Sequence, residues 1–273
     1  MTMTDHSSSI AEALPSSTVA LVRDGLSGPE LLLVLRHGKA SFANSYVFPG
    51  GLVEAQDHEV GEHCAGQDEA GARDLLELES GALAYYSAAI RELFEEAGVL
   101  LARQADGSWA DSTALAPFRT ALHGCEVGWA DFLSQNGLSL ACDALRYFAF
   151  WVTPREVRRR FSTRFFLAAI PDGQTASHCG IELTDSQWLT APAAIESSQS
   201  PDFQLPHPTR VTLESMRSID SVTGLMDWAD RCSARGIPCN LPAVVSVSGK
   251  PTVVMPDDQL YPTYRRPGAS PDG

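Results

Sequence analysis

Positive charge is scarce in this chain. Its 273 residues hold 20 Lys and Arg against 34 Asp and Glu, a formal net charge of -14. A field of that sign excludes non-specific binding to nucleic acid or to an anionic membrane surface, both of which need a basic face. It leaves small phosphorylated molecules open, because a metal and a few local Arg can neutralise their charge. Long apolar runs are missing too: none approaches the roughly 18 residues of a spanning helix. Met1 to Ser9 is polar and has no apolar centre, so it does not read as a secretory leader. The six cysteines, Cys64, Cys125, Cys142, Cys179, Cys232 and Cys239, include no C-x-x-C pair and read as reduced thiols. His58 and His63 beside Cys64 lack a second Cys/His pair at zinc spacing. The ending Ala269 to Gly273 lacks a Ser-Lys-Leu type address, and the expected location is the cytoplasm. The hydrophobic content, 44%, is that of a globular protein.

Two short apolar runs, Ser17 to Arg23 and Leu31 to Arg36, flank a turn-like Asp24-Gly25-Leu26-Ser27-Gly28-Pro29 and predict a β-hairpin. Arg36-His37-Gly38-Lys39 follows as a basic loop suited to phosphate contact. Residues 52–81 carry nine Asp and Glu from Glu54 to Glu79 against one Arg, Arg73. They predict loops with a short helix near Asp68 to Leu78, forming a solvated flap or an oligomer contact. Glu54 and Asp57 are set apart by their nearness to Gly50-Gly51. Asp111 to Cys125 and Trp129 to Asn136 predict helices stopped by Gly124 and Gly137. Leu145 to Val152 and Phe165 to Ile170 predict neighbouring strands. Between them lies a basic run containing Arg155, Arg158, Arg159, Arg160 and Arg164. Ile181-Glu182-Leu183 predicts a further strand, and Pro192 to Ser197 a helix. Two more helices are expected over Arg210 to Ser218 and Val222 to Arg235. A hairpin over Val244 to Val247 and Thr252 to Met255 closes the pattern.

The stretch that carries chemistry is Arg91-Glu92-Leu93-Phe94-Glu95-Glu96-Ala97-Gly98-Val99. Leu83, Tyr86, Ile90, Leu93 and Ala97 recur at three- and four-residue steps, which makes one apolar helix face. Gly98 stands where a helix exit tolerates positive φ. Glu92, Glu95 and Glu96 project from one side, a turn apart. Like charges at that spacing repel by roughly 0.2–0.5 kcal/mol per pair. A hard cation such as Mg²⁺ reverses that cost, since it takes carboxylate oxygens and keeps room for substrate phosphates.

With Phe48-Pro49-Gly50-Gly51 upstream, the order of strand, Gly-Gly turn and Arg-Glu-x-x-Glu-Glu-x-Gly resembles the Nudix hydrolase box. Arg91 to Val99 matches the second half at every fixed position. Two departures stand out. The acidic residue six after Gly51 is Asp57 where the family usually has Glu, and the spacer from Asp57 to Arg91 is long. A split box of this kind resembles the branch that includes peroxisomal coenzyme A diphosphatases. So do the run Arg160 to Leu167 and the segment Trp188-Leu189-Thr190.

The resemblance implies a Nudix-type α/β/α sandwich with a mixed β-sheet. Its strand–loop–helix box would carry an insertion at about 58–82. The Nudix domain would cover 16–200, after a flexible 1–15. A helical and hairpin extension over 201–265 would pack on it, followed by a tail at 266–273. The implied activity is Mg²⁺- or Mn²⁺-dependent hydrolysis of a diphosphate linkage in a nucleoside diphosphate derivative. Coenzyme A or acyl-coenzyme A leads, giving 3′,5′-ADP and 4′-phosphopantetheine. NADH, ADP-ribose or a nucleotide sugar is the alternative substrate, and a non-catalytic nucleotide-binding protein the alternative class. Glu92, Glu95 and Glu96, with a carbonyl from Gly50 or Gly51, would hold metal. Arg91 would orient the acids. The base would be Glu92 or an outside acid, Glu182 first and Asp185 second. Arg36, Arg160 and Arg164 would bind substrate phosphates. No nucleic acid or membrane partner is expected, and a homodimer is compatible with the sequence.

Overall fold

A computed structural model describes residues 10–36, 44–177 and 183–262. Its main sheet grows from the predicted hairpin. Strands β1 (Ala13–Gly25) and β2 (Gly28–Arg36) pair antiparallel, with Val22 opposite Leu31 and Gly25 opposite Gly28. Short strands β3 (Tyr46–Val47) and β4 (Gly50–Leu52) add antiparallel to β2 and β1. A small separate sheet joins β5 (Cys64–Ala65), β6 (Ala102–Arg103) and β7 (Ser139–Ala141). The main sheet continues through β8 (Arg146–Val152), β9 (Arg160–Ala169), β10 (Leu183–Thr190) and β11 (Cys239–Asn240), in the order β10-β2-β1-β9-β8-β11. β9 runs parallel to β1, from Ala13 opposite Arg160 to Val22 opposite Ala169, so the sheet is mixed.

Val19, Ala20, Leu21 and Val22 are all fully buried. A continuous apolar run of that kind belongs to a strand covered on both faces. Alternation then sorts the side chains: Val19, Leu21, Leu32 and Val34 enter one core, and Ala20, Val22, Leu31 and Leu33 the other. The first core is roofed by α2 (Leu83–Ala97), where the charged residues are confined to the C-terminal half. It also takes residues of α1 (Glu69–Leu76), α4 (Phe118–His123) and α5 (Trp129–Gln135). The expected helix over Asp111 to Cys125 is instead two pieces, α3 (Ser112–Leu115) and α4, divided at Pro117, whose ring and missing N–H oppose a continuous helix. On the other face, α6 (Ala191–Ser197), α7 (His207–Met216) and α8 (Val222–Ala234) bury Ala194, Leu213, Met216, Leu225 and Ala229. The hairpin of β12 (Ala243–Val247) and β13 (Lys250–Val254) follows. Helices on both faces of a mixed sheet make the α/β/α sandwich the resemblance implied.

The acidic insertion forms its expected short helix as α1, with most of its acids exposed and a few apolar residues fastening it to the body. Val60, Ala72 and Leu76 are buried in the first core. Asp68 caps α1 by accepting from Gly71 N at 2.7 Å. Glu69 caps α2 from outside: its two carboxylate oxygens accept from Ala82 N and Leu83 N, each at 3.0 Å. Two of the acids are spent on helix starts, where an anion meets orphan N–H groups.

Candidate active site

The site is assembled around Arg91 on the last turns of α2. Its side chain is 2% exposed, and its guanidinium forks onto Asp57, with Nε to Oδ1 at 3.1 Å and Nη2 to Oδ2 at 2.9 Å. Nη2 also donates to Leu52 O at 3.0 Å, while Nη1 reaches Glu92 Oε1 at 3.0 Å and Glu95 Oε1 at 3.3 Å. Asp57 is equally enclosed. It accepts from Ser87 Oγ at 2.8 Å and from Glu54 N at 2.9 Å, and Ser87 in turn accepts from Trp129 Nε1 at 3.0 Å. A fork of this geometry matches two carboxylate oxygens at once. It ties the start of the insertion to the acidic helix across the long spacer. The shorter Asp therefore holds the place where Glu is usual. α2 ends at Gly98, whose φ of 70° is the left-handed exit, with its N–H on Phe94 O at 2.9 Å.

Beside this network lies a cavity of about 870 Å³ whose wall includes Arg36, Gly50, Gly51, Glu54, Glu92 and Glu96. Thr18 Oγ1 donates to Pro49 O at 2.6 Å and pins the Gly-Gly turn against β1. Gly50 has φ 152° and lies so close that a Cβ would stand 2.6 Å from Thr18 Cα. Its N–H donates to Glu96 Oε2 at 2.8 Å. Gly51 is where the Glu92 carboxylate comes to rest, and a Cβ there would overlap it. Burial pushes the Glu92 carboxyl up to about 7 against the pull of Arg91, and Glu95 adds to the rise. Burial raises Glu95 as well.

The three acids of the box do not point alike. Glu92 and Glu96 line the cavity, whereas Glu95 meets Arg91 and lies 3.9 Å from His123 Nδ1. Among the described residues, no three Asp, Glu, His or Cys side chains already converge as a metal cage. The donor set is nonetheless hard carboxylate oxygen beside a backbone turn, the set suited to Mg²⁺ or Mn²⁺. Glu54, on the same wall, completes an acidic rim.

Arg36 reaches the cavity, donating to Gly50 O and standing 3.6 Å from Glu96 Oε1. Arg160 and Arg164 do not reach it. Strand alternation turns Phe161, Thr163 and Phe165 to the cavity and the two Arg to the opposite side. There Arg160 donates to Thr153 O and Ala11 O at 3.0 and 2.6 Å. Arg164 donates to Leu76 O at 3.0 Å and lies 3.5 Å over the Phe150 ring. Arg159, from the same basic run, lines the cavity instead. Asp185 accepts from Tyr46 Oη at 2.7 Å and Gln187 Nε2 at 2.9 Å, away from the cavity, and burial with this bond lifts the Tyr46 hydroxyl to about 12. Glu182, His37 and Lys39 lie outside the described residues. Ser87 was within reach of sequence reasoning, one helical turn before Arg91. Trp151, His207 and Val253 join the cavity only through the fold.

The mixed sheet, the Gly-Gly turn and the helix whose arginine binds Asp57 form one strand–loop–helix unit. The chain belongs to the Nudix hydrolase family: residues 63–216 match the family described as NUDT19 Nudix domain. It is similar to putative nudix hydrolase 7 of Caenorhabditis elegans, 26% identical over 207 residues, which are 75% of this chain and 59% of that one. It is similar also to acyl-coenzyme A diphosphatase NUDT19 of Gallus gallus, 28% identical over 277 residues, with 85% and 73% of the two chains covered. The chain thus spans little more than half of the worm protein and about three quarters of the chicken one. The structure of a NUDIX hydrolase from Alicyclobacillus acidocaldarius matches 80% of this chain and 97% of its own, with TM-score 0.66 and 25% identity. No helix among the described residues is long and apolar enough to cross a membrane.

Proposed function

We propose that this chain is a divalent-metal-dependent diphosphatase acting on a nucleoside diphosphate derivative, with coenzyme A or acyl-coenzyme A as leading substrate. The observation that carries the reading is the cavity in which Glu54, Glu92 and Glu96 share a wall with Gly50, Gly51 and Arg36. Glu92 and Glu96, with a carbonyl of the Gly-Gly turn, would hold Mg²⁺ or Mn²⁺, and Glu95 would join them on leaving Arg91. The metal, when bound, supplies charge neutralisation at the phosphate oxygens and a lowered pKa for the attacking water. Arg91 keeps the acids in register through Asp57. Arg36 sits where it can fork onto a phosphate oxygen. The base would be whichever of Glu92 and an acid outside the box does not ligate metal. The substrate assignment draws on the relatives named acyl-coenzyme A diphosphatase.

The test is hydrolysis of coenzyme A, acyl-coenzyme A, NADH, ADP-ribose and nucleotide sugars, with Mg²⁺ or Mn²⁺ and with EDTA. The expected result is metal-dependent cleavage of coenzyme A derivatives, lost at least 10²-fold in Glu92→Gln and Glu96→Gln. Cleavage of ADP-ribose but not coenzyme A would move the substrate. Equal inertness of wild type and variants with every metal would end the enzymatic reading.

A further inference from the structure

The fold brings two of the six cysteines together, and neither lines the cavity. β5 runs parallel to β7, with Cys64 opposite Leu140 and Ala65 opposite Ala141. Strand alternation puts Cys64 and Leu140 on one face of this pair. Cys142, two residues beyond Leu140, opens a 3-10 turn (Cys142–Ala144) at the end of β7. Its sulfur meets the Cys64 thiol and the Ala65 N–H. The two segments stay close past the strands: a Cβ on Gly66 would stand 2.5 Å from Asp143 Cβ.

The two thiols differ in access. Cys142 is buried in the first core, whereas Cys64 is half-buried at the edge of that core. The contact with Cys142 holds the Cys64 thiol below its ordinary range against the effect of burial, and the same contact, with burial, lifts Cys142. A thiolate, not a thiol, is the nucleophile, so the reachable sulfur is also the reactive one. The fold needs neither S–H. Cys64 Sγ donates to Val60 O at 3.6 Å, but that carbonyl already accepts from His63 N at 2.9 Å. The Cys142 S–H is directed at Cys64 itself.

We infer that Cys64 and Cys142 form a peroxide-responsive pair, in which Cys64 takes oxygen from a hydroperoxide and Cys142 closes a disulfide with it. The Cys64 sulfur attacks one peroxide oxygen and the O–O bond breaks. The thiol proton leaves with the other oxygen as water or an alcohol, and Cys64 becomes a sulfenic acid. That conversion removes the anion that held the Cys142 proton. Cys142 then attacks the Cys64 sulfur, the S–S bond forms and the S–O bond breaks. The hydroxyl departs with the Cys142 proton as water. Two thiols lose two electrons, and one hydroperoxide gains them. The bond closes a loop of about 80 residues that contains α1 and α2, and so fastens the acidic helix against unfolding. The pair stands apart from the diphosphatase reading and does not depend on it.

The test exposes the reduced full chain to hydrogen peroxide, then unfolds, alkylates and maps it by mass spectrometry. The expected product joins the Cys64 and Cys142 peptides with loss of two hydrogens, and dithiothreitol separates them again. The thermal midpoint should rise by roughly 5–10 °C over the reduced form. Cys64→Ser should abolish both changes. Cys142→Ala should leave Cys64 without its resolving partner, so that sulfinic and sulfonic acid accumulate there. Exposed Cys125 supplies the comparison. Oxidation of Cys125 while Cys64 and Cys142 both remain open to alkylation would overturn the inference. So would a wild type that reaches sulfinic acid at Cys64 as fast as Cys142→Ala does. The peptide map comes from wild type alone, so it decides the matter even where a variant fails to fold.

Discussion

At the scale of single residues, the Arg91–Asp57 pair governs the site. Both partners are buried, so removing one charge strands the other. Asp57→Asn is expected to destabilise the protein by about 3–5 kcal/mol, measured by urea unfolding. Gly51→Ala tests placement rather than stability. The added Cβ meets the flexible end of Glu92, which can swing away. The thermal midpoint should therefore hold, while kcat falls about 10²-fold through displacement of the carboxylate. Glu92 makes a pH prediction. Its folded-state value of about 7 stands above the ordinary 4.5. In metal-free protein its contribution to stability falls as pH rises through that window, because the folded state favours the proton. Mg²⁺ binding to the carboxylate would remove the penalty. The midpoint gain from Mg²⁺ should then grow between pH 5 and pH 8, and Glu92→Gln should shrink that growth. The identities of Arg91, Glu92, Glu95 and Glu96 as one group were legible in the sequence because helical spacing fixes which side chains neighbour one another. Which way each turns was not, since Arg91 holds both Glu92 and Glu95 while the Gly50 N–H takes Glu96. That Arg160 and Arg164 lie off the cavity wall was hidden for a similar reason: the pairing of β9 with β1, far apart in sequence, sets the phase of the strand.

At the scale of elements, α2 lacks a cap of its own. Its N-cap position is Ala82, and Glu69 supplies the missing acceptors. Glu69→Ala should cost about 0.5–2 kcal/mol in urea unfolding, the range of a lost helix cap. Glu62→Ala, on an exposed residue of the same insertion, should fall within about 0.5 kcal/mol of wild type. The helices over residues 207–216 and 222–234 and both terminal hairpins were legible, because each rests on local periodicity and a turn. The short helix of the insertion was legible too, but charge density says nothing about where each acid finds its partner. Ala72 and Leu76, four apart on α1, share one helical face and enter the first core with Val60.

At the scale of the whole molecule, one sheet serves both cores. β1, β2 and β9 contribute to each, so neither side can melt while the other keeps its sheet. Unfolding is expected to be a single transition, with far-UV circular dichroism and tryptophan fluorescence coincident. Trp129 reports the first core and Trp151 with Trp228 the second, and separate midpoints would show that the faces are independent. The joining of Asp57 to Arg91 also bears on how such a chain tolerates change. Once both ends of an excursion are fastened, lengthening it costs only about 0.6 kcal/mol per doubling. Novel sequence can be threaded between those anchors at little thermodynamic risk, provided that it returns a carboxylate to the start of the next helix.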